Sequence, residues 1–451
     1  MKAWLVWVKQ SDCRSCCCYG LDLRAWTRTQ TVSRPVTTAN ADTVSTTTRR
    51  SILLLSFATF SSMCAQRICD AMLPELARVF TVSLAQAAQV VSVFAITYGV
   101  AQLIYGPLGD RLGKYRIITY GAFGCSVASL VAVFASSLDM LLVARFLMSL
   151  SVAGLIPMAM AWVGDSVPTN RLQEMLTRTG LGSTLGLVAG QLLGGLLTDA
   201  FGWRWCFVFM ALLFTVVGTF LLNDLRRQRA SLLNVAANAP QAAVALPPTQ
   251  QVNFIKQAIA IITGPWSRIV LAMATVEGAV SFGVLAIWAS HLHNRLGLSL
   301  TVAGAIVALF GLGGMMYMVV ARALIAHFGQ QGLVMIGGAL FGLCACMMAY
   351  TPNWLVAIPA SLISGFGFFM FHNTMQATAT NMAPHARGTA VSLFSSFLFL
   401  GQSVGVVVAA SLIGRVGSSA VISGAGVVMA LEGVFFAWVL RRRDASGQSV
   451  A

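Results

Sequence analysis

The chain has 451 residues, of which 57% are apolar and only 10% charged, with a formal net charge of +15. A water-soluble globule carries about a quarter charged residues, so the composition excludes a soluble enzyme or binding domain and makes lipid the main solvent. The basic residues are scattered among short connections with no continuous basic face, which excludes a nucleic-acid partner and points to charge asymmetry across a membrane.

Residues 1–50 read as a disordered, polar, Thr- and Arg-rich cytoplasmic tail. The apolar run Ala3 to Val8 is closed by Lys9 and is too short for a signal peptide. Cys13, Cys16, Cys17 and Cys18 have C-x-x-C spacing but no second ligand pair nearby, so no metal site is expected. The other cysteines sit singly in apolar runs, where they behave as small apolar side chains.

From residue 51 onward, apolar runs of about 20 residues predict twelve transmembrane helices. Spans 1 to 6 cover 51–73, 85–107, 115–136, 139–162, 177–200 and 204–222, and spans 7 to 12 cover 267–290, 301–326, 331–350, 354–379, 389–412 and 418–440. The expected fold is an all-α polytopic membrane protein. Its six-helix halves occupy 51–222 and 266–440, with a short tail at 441–451. The joining stretch 223–265 holds Arg226, Arg227 and Arg229, then an Ala/Pro/Gln-rich sequence without helical periodicity, and reads as a flexible cytoplasmic linker. An even number of spans puts both ends on one side. That side holds 23 of the 29 Lys and Arg, the opposite connections only Arg78, Arg204, Arg295 and Arg415. Both termini are therefore expected in the cytoplasm, on a multi-pass protein of the cell's inner membrane.

The halves repeat each other at an offset of 216 residues. Ser83-Leu84 aligns with Ser299-Leu300, Ala87 with Ala303, Val91 with Val307, Phe94 with Phe310, Leu108 with Leu324, Gly113 with Gly329 and Gly121 with Gly337. Pseudo-symmetric tandem halves place a substrate site between them near the membrane midplane.

Between spans 2 and 3 runs Gly106-Pro107-Leu108-Gly109-Asp110-Arg111-Leu112-Gly113-Lys114-Tyr115-Arg116, a short charged interruption that reads as a tight hairpin at one membrane face. It resembles the signature loop of the major facilitator superfamily, and the resemblance covers roughly Ser51 to Arg443. Asp70-Ala71-Met72-Leu73-Pro74 closing span 1 and Gly202-Trp203-Arg204 opening span 6 are similar to the family's twelve-helix drug and metabolite exporters. The resemblance implies a monomeric secondary transporter working by alternating access on a small-molecule substrate and protons, within the lipid bilayer. No cofactor is expected. In the family this loop is a cytoplasmic latch. By resemblance it comprises Gly106, Leu108, Gly109, Asp110, Arg111, Gly113, Lys114 and Arg116, with Asp110 facing the start of span 11 and Arg111 and Lys114 offered to Asp165 at the end of span 4. The matching stretch Arg322 to Gln331 has Ala326 and His327 in place of Asp110 and Arg111, so the latch should be asymmetric.

Ionisable groups inside spans are expensive and usually functional. Asp70 follows Arg67 by three residues, on one helical face in the outer third of span 1. Arg145 lies about two turns into span 4 from the outer side. By resemblance spans 1, 4, 7 and 10 line the cavity, and Arg145 matches the arginine of the span 4 signature, although Met148-Ser149 stand where the family often has Gln-Gly. Asp70 is then the expected coupling carboxylate and Arg145 the group that tunes it. Burial and a nearby guanidinium pull a carboxyl's proton affinity in opposite directions, which lets small movements load and release a proton. The competing reading is a static Arg67–Asp70 pair at the membrane rim. Glu277 lies near mid-bilayer in span 7 and is expected to bind protons or a cationic substrate group. Glu432 in span 12 reads as structural. His372, Asn373 and Gln376 in span 10, with Arg67, are further candidate cavity residues.

Span 5 carries Gly186, Gly190, Gly194 and Gly195, whose spacing makes a bare stripe that lets another backbone approach. It resembles the family's exporter signature, with Gly190-Gln191 where that signature has Gly-Pro. Trp203, Trp205 and Trp354 at span ends read as interfacial anchors. No G-x4-G-K-[ST] or H-E-x-x-H stretch is present in the sequence, which argues against a nucleotide-driven pump or a zinc-dependent membrane enzyme. The leading expectation is proton-coupled export of drugs, metabolites or siderophores. A proton-coupled metabolite importer is the alternative, and a polytopic enzyme or non-transporting sensor is more remote.

Overall fold

The computed structural model describes residues 45–238 and 254–445, without the side chains of Asp110, Thr169 and 231–238. Most of the expected N-terminal tail, the centre of the linker and the last six residues thus lie outside the described residues. Every regular element among those described is helical. In chain order they are α1 (Thr46–Arg67), α2 (Leu73–Val79), α3 (Leu84–Leu112), α4 (Lys114–Val133), α5 (Leu138–Val152), α6 (Leu155–Ser166), α7 (Thr169–Phe201) and α8 (Arg204–Asn238). There follow α9 (Phe254–Thr263), α10 (Pro265–Glu277), a π-helical turn (Gly278–Gly283), α11 (Val284–Leu296), α12 (Leu300–Tyr350), α13 (Trp354–Asn381), a short 3-10 turn, α14 (Arg387–Val416) and α15 (Ser418–Ala445).

Among the described residues, ten helical stretches are long and apolar enough to cross a membrane. One of them, α12, is 51 residues long and breaks at Gly329 (φ 62°, ψ 179°), so it serves as spans 8 and 9. Span 4 is α5 followed by α6, span 7 is α10 through α11, and the 22-residue α1 stands at span 1. The arrangement agrees with twelve spans.

The repeat read in the sequence is visible in the backbone. Gly113 and Gly329 both take positive φ, 90° and 62°, at equivalent turns, a region open to glycine at no steric cost. Ser83 and Ser299 both cap the helix that follows, through the N–H groups of Gln86 and Val302. Each half has its own core, one around Phe94, Tyr98, Phe207 and Phe214, the other around Trp288, Phe310, Phe341 and Phe368.

Several boundaries differ from the expected ones. Residues 46–50 are the first turn of α1 rather than tail, and α8 and α9 extend helix well into the expected linker. The hairpin expected across Gly106–Arg116 is narrower, because α3 continues through Pro107 to Leu112 and the chain turns only at Gly113. In an apolar solvent the helix keeps its remaining backbone bonds satisfied for as long as φ allows. Trp203 is buried against Phe80 and Phe207 rather than anchored at the interface, while Trp205 and Trp354 are exposed.

The halves meet along two seams, α3 with α14 and α7 with α12. In the first, Ser92 Oγ lies 2.7 Å from Ser403 Oγ and Tyr98 packs edge-on against Phe399 at 4.6 Å. In the second, a Cβ on Gly195 would lie 2.1 Å from the Leu300 carbonyl oxygen, and one on Gly304 would lie 2.5 Å from that of Gln191. Asp199 closes this seam at the face opposite the termini, accepting from the Thr301 N–H and hydroxyl at 2.6 Å each. Its carboxylate caps the N-terminus of α12, where the helix dipole favours negative charge.

Candidate functional site

Pro74 starts α2 and the chain turns through 68–72, so Asp70 sits in the joint between α1 and α2 instead of on a continuing helix. Arg67 and Asp70 are both fully buried, their closest N–O distance being 3.4 Å. Neither side chain lies at the protein surface, so Arg67 and Asp70 form an interior pair. Gln191 of α7 donates its amide N–H to Asp70 Oδ2 at 2.8 Å. The Arg67 guanidinium also covers the face of Phe282, in the π-helical turn of the other half, at 4.3 Å.

Arg145, equally buried on α5, donates Nη1–H to the Ala65 carbonyl at 2.8 Å and Nε–H to that of Val90 at 3.2 Å, and stacks on Phe94 at 4.1 Å. It ties α1, α3 and α5 together and lies close enough to Asp70 to act on it electrostatically. Ser149, one turn further along, donates to the Phe94 carbonyl at 2.6 Å. Arg67 pairs with Asp70, and Arg145 acts on it at longer range, all three being buried. Asp70 Oδ1, Gln191 Oε1, Arg67 Nε and Nη2 and Arg145 Nη2 have no hydrogen-bond partner among the described residues.

The second half holds a complementary cluster. Glu277, fully buried at the end of α10, lies 2.6 Å through Oε1 from Nδ1 of His372 on α13. Among the described residues its Oε2 has no hydrogen-bond partner, nor has either carboxyl oxygen of Glu432 or either side-chain amide atom of Gln402. Glu432, expected to be structural, interacts electrostatically with Glu277. His372 stacks on Phe368 at 5.2 Å and touches Phe282 at 6.4 Å. Phe282 therefore connects Arg67 of one half with His372 of the other. The π-helical turn follows Glu277 directly and is wedged against α14, where a Cβ on Gly278 would lie 1.9 Å from the Leu398 carbonyl oxygen. Such turns inside α-helices are frequent at functional sites. Asn373 is half-buried and Gln376 exposed, both outside the Glu277–His372 contact.

In the charged loop, Lys114 takes Asp165 as its ion-pair partner, and Arg111 and Arg116 are exposed. The Asp110 side chain lies outside the described residues. Gly109 leaves room for Met158, whose sulfur would lie 2.3 Å from a Cβ there, whereas Gly106 has open space. On α7, Gly186, Gly190 and Gly194 lie against the backbone of α1: added Cβ atoms would stand 2.2, 2.8 and 2.2 Å from the carbonyl oxygens of Phe60, Cys64 and Ile68. Gly195 faces the other way, into the seam with α12.

The sequence model of the Major Facilitator Superfamily matches residues 55–406. The chain belongs to this superfamily. It is 26% identical over 371 residues to the lincomycin resistance protein of Streptomyces lincolnensis, covering 72% of this chain and 76% of the relative. It is 26% identical over 329 residues to the 4-hydroxybenzoate transporter PcaK of Pseudomonas aeruginosa, covering 68% and 73%. Among solved structures it is similar to a D-xylose–proton symporter, with a TM-score of 0.67 at 13% identity over 86% of this chain and 97% of that one, a likeness of fold. Superfamily membership makes this chain a multi-pass membrane transporter rather than an enzyme.

Two residues of this candidate site escaped the sequence. Gln191 emerged only as a departure from a Gly-Pro pattern, and Phe282 as one apolar residue among many. A polar side chain beside a bare glycine stripe was the signal available for the first, and nothing distinguished the second.

Proposed function

We propose that the protein exports small organic molecules in exchange for protons, with Asp70 as the coupling carboxylate. The observation that carries this reading is the position of Asp70: buried in the α1–α2 joint, held by Arg67 and Gln191, and acted on by Arg145. While Asp70 is ionised it fastens this joint to α7. A proton on it cancels the charge that pairs with Arg67 and weakens the hydrogen bond accepted from Gln191, which loosens the joint on α7 and lets α1 shift along the glycine stripe. Arg67 stacks on Phe282, and Phe282 touches His372, so the change reaches the Glu277–His372 pair in the other half. Glu277 is the second proton-exchanging group. Lys114 and Asp165 latch the face that carries the termini, which is the cytoplasmic face of the inner membrane. The Asp199–Thr301 contact closes the outer face in this state.

Likeness to a lincomycin resistance protein favours export, because removing an antibiotic from the cell confers resistance. Import is the second reading, favoured by equal identity to a 4-hydroxybenzoate transporter and by Gln191 in place of the exporter pattern's proline. The test is proton movement in respiring inside-out vesicles challenged with drugs, siderophores and aromatic acids. Export predicts proton release from the vesicle lumen on addition of one compound, lost in Asp70→Asn. Silence across the panel, with uptake of a compound by whole cells, would assign import.

A further inference from the structure

A groove of about 430 Å³ runs between α1 and α7 on the side of the termini, well away from the Asp70 and Glu277 clusters. Its walls include Phe57, Phe60, Leu181 and Leu185, and its mouth carries Arg49 and Arg178. The register is fixed by Gly182 against the Ser56 carbonyl, which places Arg178 level with the second turn of α1 and Arg49 nearer the membrane face. Positive charge thus sits at headgroup depth, and bare apolar surface lies deeper. Leu53, Phe57 and Leu185 keep 58, 50 and 44% exposure there.

The mouth is cationic overall. Arg178 and Arg171 share the single carboxylate of Glu174, at 2.8 and 3.1 Å, and Arg49 is exposed.

We propose that this groove seats one anionic phospholipid of the surrounding bilayer, its phosphate held by Arg49 and Arg178 and one acyl chain laid along Phe57, Phe60, Leu181 and Leu185. Basic pockets between transmembrane helices recognise anionic headgroups, and arginine pairs with phosphate in a bidentate geometry. The assignment is independent of transport direction and of the coupling residues.

The test is native mass spectrometry of the full-length protein released from nanodiscs containing equal phosphatidylglycerol and phosphatidylcholine with the same acyl chains. Wild type is expected to retain one phosphatidylglycerol under conditions that strip phosphatidylcholine. Arg49→Gln with Arg178→Gln is expected to lower that retention about tenfold, at an unchanged melting temperature. Arg226→Gln with Arg227→Gln, exposed on α8, should retain it fully. Equal retention of both lipids by wild type, or undiminished retention by the first double variant, would overturn the proposal. So would displacement of phosphatidylglycerol by an equal concentration of palmitate, which would assign the groove to free fatty acids.

Discussion

Arg145 shows how a buried charge is held in lipid. It meets two backbone carbonyls and an aromatic face, so its removal loses charge-assisted hydrogen bonds of roughly 1.5–3 kcal/mol each and a stacking contact. Arg145→Leu is expected to destabilise the protein by about 2 kcal/mol or more, read as a lower melting temperature in detergent, with Arg145→Lys recovering only part of the loss. At Glu277 and His372 the expectation is non-additivity. Glu277→Gln and His372→Gln should each impair proton-driven transport, and the double variant should be no worse than the worse single one. Independent, additive losses would break the pair apart. Asp70, Arg145 and Glu277 were legible in the sequence because an ionisable residue inside an apolar run stands out. Arg67 was legible as Asp70's partner from their three-residue spacing, whereas Gln191 at Asp70 and the pairing of His372 with Glu277 were not. A run of apolar residues gives depth in the membrane, but helix rotation and neighbour choice decide that His372 rather than Gln376 reaches Glu277, and that Gln191 reaches Asp70.

At the scale of elements, the packing of α1 on α7 is the contact most sensitive to a single methyl group. Gly186→Val would drive a side chain into the Phe60 carbonyl, and folded protein recovered by size-exclusion chromatography should fall sharply. Gly424→Ala, with open space around it, should be neutral. The four-residue glycine spacing was readable beforehand, but not the helix it serves, since the same stripe would suit any neighbour. The charged loop after α3 behaves similarly. Lys114 and Asp165 were brought together by resemblance and do pair, whereas the end of α3 was misjudged because Pro107 and the glycines around it were read as a turn. Lys114→Glu should weaken transport, and Lys114→Glu with Asp165→Lys should restore part of it, measured as drug accumulation in cells.

For the whole molecule, alternating access requires the two seams to open and close. Span count, repeat and charge bias were all legible, because lipid enforces length and periodicity on every spanning helix. The seams were not, since they depend on small residues meeting across the halves, such as Gly195 on Leu300 and Gly304 on Gln191. Asp199→Cys with Thr301→Cys, joined by a short bifunctional cross-linker, should arrest transport, while each single variant treated alike should stay active. The central claim is that Asp70 couples solute movement to protons. Its most direct test uses purified protein in liposomes, comparing solute accumulation driven by an imposed pH gradient with solute exchange at equal pH on both sides. The account predicts that Asp70→Asn loses the gradient-driven accumulation and keeps the exchange. Accumulation by Asp70→Asn at the wild-type level would contradict it.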